Sequence, residues 1–167
     1  MSQADHAALH RDWMRAAIDT AIEGARLGEV PIGSVLVDPT RQAVLARGWN
    51  QGRSTGDRTR HAEMVALANA GRPGQPIADG LTLVTTLEPC AMCLGAALEL
   101  NVAHVIYGLE APANGGVARL SDPKRMPRLT AGVLRDDCRR LLRDWLGQQN
   151  PSGGSGFIQE LLDATDD

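Results

Sequence analysis

Between His10 and Leu27 the apolar residues Met14, Ile18, Ile22 and Ala25 fall three and four positions apart, with Arg15, Asp19, Glu23 and Arg26 among them. That spacing keeps one side of an α-helix apolar, and Gly28 follows as its stop. The period then changes. Ile32 to Val37 and Gln42 to Gly48 read as strands on either side of Asp38-Pro39-Thr40, a turn-forming triplet. Asn50 to Arg60 is polar and contains glycine, and predicts a loop. His61 to Ala70 consists of strong helix formers and stops at Gly71. Arg72 to Gly80, broken by prolines and glycines, predicts another loop. Leu81 to Leu87 has the length and β-branched content of a strand. Pro89 then opens a second helix over Cys90 to Leu100, where its missing N–H costs nothing. Val102 to Tyr107 predicts a further strand.

The order α-β-β-α-β-α-β is that of a sheet covered by helices, an α/β layered domain. Gly108 to Arg128 shows no periodicity and is interrupted by Pro112, Gly115, Gly116, Pro123 and Pro127. A loop of that length in a compact domain is expected to bind something or to cover something that binds. Leu129 to Leu134 predicts a last short strand and Arg135 to Leu146 a helix. Asn150 to Gly156 (NPSGGSG) has the composition of a flexible linker. Phe157, Leu161 and Leu162 are spaced for a short terminal helix that returns to the body. The expected organisation is a catalytic domain over 1–146, a linker over 147–156 and a C-terminal segment over 157–167. There is no internal repeat.

Composition narrows the function classes. At 3% aromatic residues the core has to be built from Leu, Val, Ile and Ala, and few rings remain to stack on single-stranded bases. A formal net charge of -3 supplies no global field to attract a polyanion. Both features weigh against a nucleic-acid partner unless a local basic patch overrides them. The three cysteines, Cys90, Cys93 and Cys138, are too few and too unevenly spaced for a disulfide framework, and fit a reduced compartment. Met1 to Asp12 is polar, without a signal core, and no apolar run approaches the roughly 20 residues of a membrane span. A soluble cytoplasmic protein is expected.

The residues that carry chemistry are His61-Ala62-Glu63 and Pro89-Cys90-Ala91-Met92-Cys93. One imidazole and two thiolates suit zinc, a borderline-soft ion tolerant of tetrahedral N/S ligation. On a helix, Cys90 and Cys93 lie about 300° apart around the axis and so share a side. In the first turn the helix dipole lowers a thiol's pKa toward the thiolate that a metal requires. Three protein ligands leave the fourth tetrahedral position for water, the mark of a catalytic rather than a structural site. Glu63 adds a carboxylate. On a regular helix it lies about 200° round from His61, so the two converge only if His61 sits at the helix end. The Cys-x-x-Cys pair alone also fits a redox pair, or half of a structural zinc site completed by Cys138 or His104.

Taken together, His-x-Glu at one helix start and Pro-Cys-x-x-Cys at the next decide between these. From about Asp12 to Leu146 the chain resembles the cytidine deaminase superfamily. Val30-Pro31-Ile32-Gly33 entering the first strand, Gly48 and Asn50 ending the second, and Thr86-Leu87-Glu88 before Pro89 belong to the same resemblance. It implies a three-layer α-β-α fold around a mixed sheet of about five strands. It implies a Zn2+ ion held by His61, Cys90 and Cys93, with Glu63 shuttling protons while water replaces an exocyclic amine on a nucleobase ring. It implies that Asn50 hydrogen-bonds the base or its sugar, and that the backbone N–H groups of Ala62 and Cys90 lie close to the ring. Glu88 joins these as a candidate substrate contact. A homodimer is also implied.

Two substrate branches compete within the family. Glu88-Pro89-Cys90-Ala91-Met92-Cys93 with Gly95-Ala96, and Asp136-Asp137-Cys138, resemble the bacterial tRNA adenosine deaminases. That pattern has Asp-Pro-Thr-Ala before His-Ala-Glu, where this chain has Asp57-Arg58-Thr59-Arg60. It has Lys-x-Gly-Ala where this chain has Pro112 to Gly116. The basic C-terminal helix is reduced to Arg135, Arg139, Arg140 and Arg143 interrupted by aspartates. The small cytosine and guanine deaminases form the other branch. The 29 positions between His61 and Cys90 look like their spacing, and Asn69-Ala70-Gly71-Arg72 resembles their sequence after the first metal helix. A C-terminal aromatic-plus-acid segment closes over the base in such enzymes, a part that Phe157 with Glu160 or Asp163 would play here. A free base has no polymer to anchor it and must be buried, whereas a tRNA loop needs an open, basic mouth. The sequence favours a free base or nucleoside over tRNA, and a zinc-stabilised binding protein is the non-enzymatic alternative.

For the remaining candidates the plain reading holds. His6 and His10 belong to a solvated helix or frayed tail, His104 is structural, and Cys138 is a small buried hydrophobe. Trp13, Trp49 and Trp145 are core or interface residues, with pocket lining as an alternative for Trp49 alone, because it stands beside Asn50. Arg53, Arg58 and Arg60 read as a solvated basic loop, with phosphate or a neighbouring subunit as the alternative contact.

Overall fold

A computed structural model describes residues 2–71, 79–120, 126–149 and 155–166. Most of the linker expected over Asn150 to Gly156, and parts of the expected 72–80 and 108–128 loops, lie outside them.

The elements run α1 (Gln3–Arg26), β1 (Gly33–Asp38), β2 (Ala43–Trp49), α2 (Gly52–Thr55), α3 (Ala62–Ala70), β3 (Thr82–Leu87), α4 (Ala91–Glu99), β4 (His104–Leu109), β5 (Arg128–Thr130), α5 (Arg135–Leu146) and α6 (Gly156–Ala164). One five-stranded mixed sheet has the order β2-β1-β3-β4-β5. β1 pairs antiparallel with β2 and β3, while β3–β4 and β4–β5 are parallel.

Strand alternation sorts the core into two clusters, one on each face of the sheet. Val35 and Val37, Val84 and Ile106 meet Met14 and Ala17 of α1, Leu142 of α5 and Leu161 of α6. Their neighbours Leu36, Leu83 and Val105 point the other way, to Leu67 of α3 and Leu94 of α4. The result is the expected three-layer α-β-α arrangement, with α1, α5 and α6 on one face and α3 and α4 on the other.

α1 begins seven residues earlier than the apolar period predicts. Ser2 accepts from the Asp5 N–H, and Asp5 accepts in return from Ser2, a capping box that carries the helix out past the core. Its deepest line is also different: Met14, Ala17, Ala21 and Gly24 are buried, while Ile18 and Ile22 are half-buried. Small residues are needed there because α1 lies directly on the chain at Gly33, where a Cβ would come within 2.2 Å of the Ala17 carbonyl oxygen. The stop at Gly28 is as expected, with φ +88. The loop expected from Asn50 to Arg60 contains the short α2, whose first N–H groups are received by the buried Glu29 carboxylate. Arg53 N and Ser54 N donate to it at 3.0 and 2.7 Å. β4 continues through Leu109, two residues beyond its expected end, and β5 occupies three residues rather than six.

α6 packs Ile158, Leu161 and Leu162 into the α1–α5 side of the core. Each such side chain contributes roughly 1.5–3 kcal/mol on burial. Two arginines of α5 reach its C-terminal end: Arg139 donates to the Leu162 carbonyl at 3.0 Å and pairs with Asp166, and Arg135 donates to the Thr165 carbonyl at 3.1 Å. Cations at a helix C-terminus satisfy carbonyls that have no partner within the helix. The position of Phe157, at the other end of α6, is set by this anchorage. No described helix is long and apolar enough to cross a membrane.

Candidate active site

Two reversals of direction at β1 make β2 and β3 run the same way, so both end at one edge of the sheet. The helices that follow them, α3 and α4, therefore start at that edge. His61 is the N-cap of α3 and Cys90 the N-cap of α4; both have extended backbones (φ -69, ψ 157 and φ -70, ψ 171). Neither side chain caps its helix. In place of the usual hydroxyl or carboxamide, an imidazole and a thiol point into the space between two helix N-termini.

There the three ligand atoms form a nearly equilateral triangle. Cys90 Sγ lies 3.6 Å from His61 Nδ1 and 3.5 Å from Cys93 Sγ, which is itself 3.5 Å from His61 Nδ1. Zinc–sulfur and zinc–nitrogen bonds of about 2.3 and 2.0 Å on tetrahedral axes give edges of roughly 3.5–3.8 Å. The donor set and the triangle both fit zinc, and this is the metal-ligating cluster found among the described residues. The two cysteines meet by a different route from the one their spacing predicts. Cys90 is outside the helix, so it is not the 300° relation within one turn that unites the sulfurs. The extended N-cap turns Cys90 back over Cys93 in the first turn. His61 behaves likewise, which is how it and Glu63 come to line the same cavity.

The electrostatics follow from burial and from the two helix ends. Glu63, 4% exposed, has its carboxyl pushed up to about 7 by desolvation. A carboxyl poised near neutrality both accepts and returns a proton. The Cys90 thiol is driven down to about 3, chiefly by the hydrogen bond with Cys93 and also by His61. The His61 imidazole is raised by its hydrogen bond with Cys90. The Cys93 thiol is pushed up, first by its hydrogen bond with Cys90, then by burial and by the nearby Glu63.

Beside these residues is a cavity of about 360 Å3. Its apolar wall comes from Val30, Ile32, Leu87 and Ala111, and its polar groups include Asn50, Glu63 and Glu88. Each residue singled out as a substrate contact has a definite place. Asn50 lines the cavity, and its Oδ1 accepts the Ala62 N–H at 3.1 Å, leaving the Nδ2 amide for a ligand. The Ala62 N–H is engaged by Asn50, which itself lines the cavity. Glu88 also lines the cavity, with its carboxylate accepting the Ala111 N–H at 2.9 Å across the loop after β4. Phe157 lies on the cavity wall. Glu160 is on the exposed side of α6 and borders a small adjoining cleft with Phe157 and Pro112 rather than the cavity itself.

Trp49 takes the packing role rather than the pocket alternative: its side chain packs on Gly24 of α1, where any Cβ would sit 2.8 Å from it. The wall contains residues for which sequence pattern offered little signal. Asn114 and Arg119 come from the aperiodic loop, and Arg58 from the basic one. Of the three arginines in that basic loop, Arg53 lies over the Trp145 ring at 5.4 Å and Arg60 donates to Gln51, so only Arg58 reaches the cavity.

With this geometry in hand, known proteins add a consistent picture. Residues 7–109 match the family described as the cytidine and deoxycytidylate deaminase zinc-binding region. Over 137 residues the chain is 42% identical to a tRNA(Ile)-lysidine synthase of Deinococcus deserti, covering 78% of this chain but 26% of that protein. The chain thus spans about a quarter of the length of the first curated relatives it matches. A tRNA-specific adenosine deaminase of Haemophilus influenzae is 35% identical over 136 residues, 77% of this chain and 78% of that one. A structure from studies of A-to-I editing by tRNA:A34 deaminases at the wobble position superposes with a TM-score of 0.71 and 33% identity. It covers 78% of this chain and 99% of that one.

Proposed function

The chain belongs to the cytidine and deoxycytidylate deaminase zinc-binding family, and from that premise we propose that this zinc-dependent deaminase converts adenosine to inosine in tRNA. What carries the choice of substrate is the Haemophilus tRNA-specific adenosine deaminase, similar at 35% identity over most of both chains. The sequence alone favours a free base or nucleoside; the comparisons support its tRNA alternative better. Phe157 on the cavity wall is the observation that still favours the smaller substrate.

When bound by His61, Cys90 and Cys93, zinc supplies the Lewis acidity that makes water nucleophilic at neutral pH. Glu63 takes the water's proton, for which its burial and near-neutral pKa suit it. It delivers that proton to the ring nitrogen as the oxygen adds to the ring carbon. It then takes the second proton from the added hydroxyl and passes it to the amine, so that the C–N bond breaks, a carbonyl forms and ammonia leaves. The Asn50 amide, fixed by the Ala62 N–H, orients the base or its sugar. The apolar wall excludes bulk water from the proton transfers. A homodimer is part of the same proposal, carried by the resemblance.

The test is a zinc-loaded preparation offered an anticodon stem-loop with adenosine at the wobble position, alongside adenine, cytosine, guanine and their nucleosides. Inosine and released ammonia are quantified. We expect kcat/KM for the stem-loop to exceed that of every small substrate by about 100-fold or more, since remote contacts raise turnover as well as affinity. Turnover of a free base or nucleoside with an inert stem-loop overturns the reading.

A further inference from the structure

We infer that Arg58 and Arg119 are the phosphate contacts of the RNA strand that delivers the base, an inference that rests on the tRNA reading above. Both residues line the cavity and both are solvent-exposed, which places their guanidinium groups at its rim. They come from separate loops, one before α3 and one after β4. Arg119 is oriented by a hydrogen bond to the Ala113 carbonyl at 2.6 Å, which uses one of its five donors. Arg58 has no hydrogen-bond or carboxylate partner among the described residues. The acids of this cavity do not neutralise the rim: Glu63 is fully inside, and Glu88 is turned to the Ala111 N–H.

Two cations at the mouth of a base-sized cavity have no use for an uncharged base. A nucleotide turned out of its strand carries a phosphate on each side, and a guanidinium is matched to phosphate in charge and in fork geometry. The chain has a net charge of -3 and 3% aromatic residues, so neither a general positive field nor base stacking supplies the affinity. Local phosphate contacts therefore have to supply it. Arg58 stands where the resembling tRNA-enzyme pattern has proline, and Arg119 lies in the loop where this chain also departs from that pattern. The rim is thus a feature of this chain's own sequence.

The experiment compares Arg58→Gln, Arg119→Gln and the charge-matched control Arg15→Gln, on the opposite helix layer, in the full zinc-loaded chain. Zinc content and thermal midpoint confirm that each variant is folded. KM and kcat for the adenosine stem-loop are measured over a salt series, with adenosine monophosphate as a second substrate. Each rim variant should raise KM for the stem-loop about tenfold, with a much smaller change in kcat. The slope of log KM against log salt should fall by about 0.7 per arginine lost, the single-strand value for one phosphate. If the wild type deaminates the stem-loop and the rim variants match Arg15→Gln in KM and slope, this inference fails while the tRNA reading stands. If the stem-loop is inert and the arginine effect is seen only with the monophosphate, the contacts serve a mononucleotide, and both readings fail.

Discussion

His61 and Cys90 hold the same structural position on two different helices, and this determines what their neighbours do. An N-cap residue lies off the helix cylinder, so its side chain is free to turn toward whatever faces the helix end. Cys93 and Glu63, each within the first turn that follows, meet it there. The four residues were legible from type and spacing, because zinc ligation and proton transfer tolerate few side chains. Their roles separate cleanly in experiment. Glu63→Gln should retain stoichiometric zinc by elemental analysis while turnover falls about 10²–10⁴-fold, the usual contribution of a positioned acid–base group. Cys90→Ala or His61→Ala should lose the metal together with activity. A Glu63→Gln protein turning over at near the wild-type rate excludes Glu63 as the proton carrier.

α3 carries both His61 and Glu63, and its distance from the sheet is set at Gly48 of β2. A Cβ there would approach the Ala62 oxygen and Ala66 nitrogen to 2.4 Å. Both are backbone atoms of α3, so no side-chain rotation relieves the contact. Gly48→Ala should force α3 outward, destabilising the protein by about 1–3 kcal/mol and weakening zinc binding. Thermal denaturation and metal titration measure the two effects, and an unchanged midpoint with unchanged zinc affinity removes Gly48 as the spacer. In the sequence this glycine marks only the end of a strand. Its significance depends on which helix crosses β2, and residue order does not say. The same holds for α1, whose buried small residues Ala17, Ala21 and Gly24 answer to Gly33 rather than to any period of large apolar side chains.

Across the whole molecule, the N-terminal helix is tied to the sheet far from the zinc ligands in sequence. The His10 ring stands edge-on to His104 at 5.3 Å, and His104 Nε2 lies 2.9 Å from Thr130 Oγ1, linking α1, β4 and β5. Burial first, and then Arg128, push the His104 imidazole down to about 4, and burial lowers His10 as well. Because the folded pKa lies below the ordinary 6.5, this stabilisation is fully present above 6.5 and is lost as pH falls from there toward 4. The thermal midpoint of the wild type should therefore drop over that window, and His104→Gln should drop less. Comparing the two proteins cancels any acid release of zinc, which they share. Identical profiles rule out His104 as a source of the acid sensitivity. The plain reading of His104 as structural described its place but not its partner, since the His10 contact forms only once α1 crosses the sheet.

By itself the sequence determined the order of the elements apart from the short α2, the covering of a sheet by helices and the chemistry of the metal site. These depend on signals that are local along the chain: apolar period, stop residues, and ligand types that zinc and a proton shuttle require. Tertiary structure alone decided which side chains share the cavity. It brought Arg58 and Arg119 to the rim and engaged the Ala62 N–H with Asn50. It kept Glu160 on an outer face and sent Trp49 into the packing against α1. The cavity is assembled from segments between Val30 and Phe157. Their meeting is fixed by strand direction and by helix-to-sheet distance, which arise from packing across the whole domain and leave no periodic trace in any one segment.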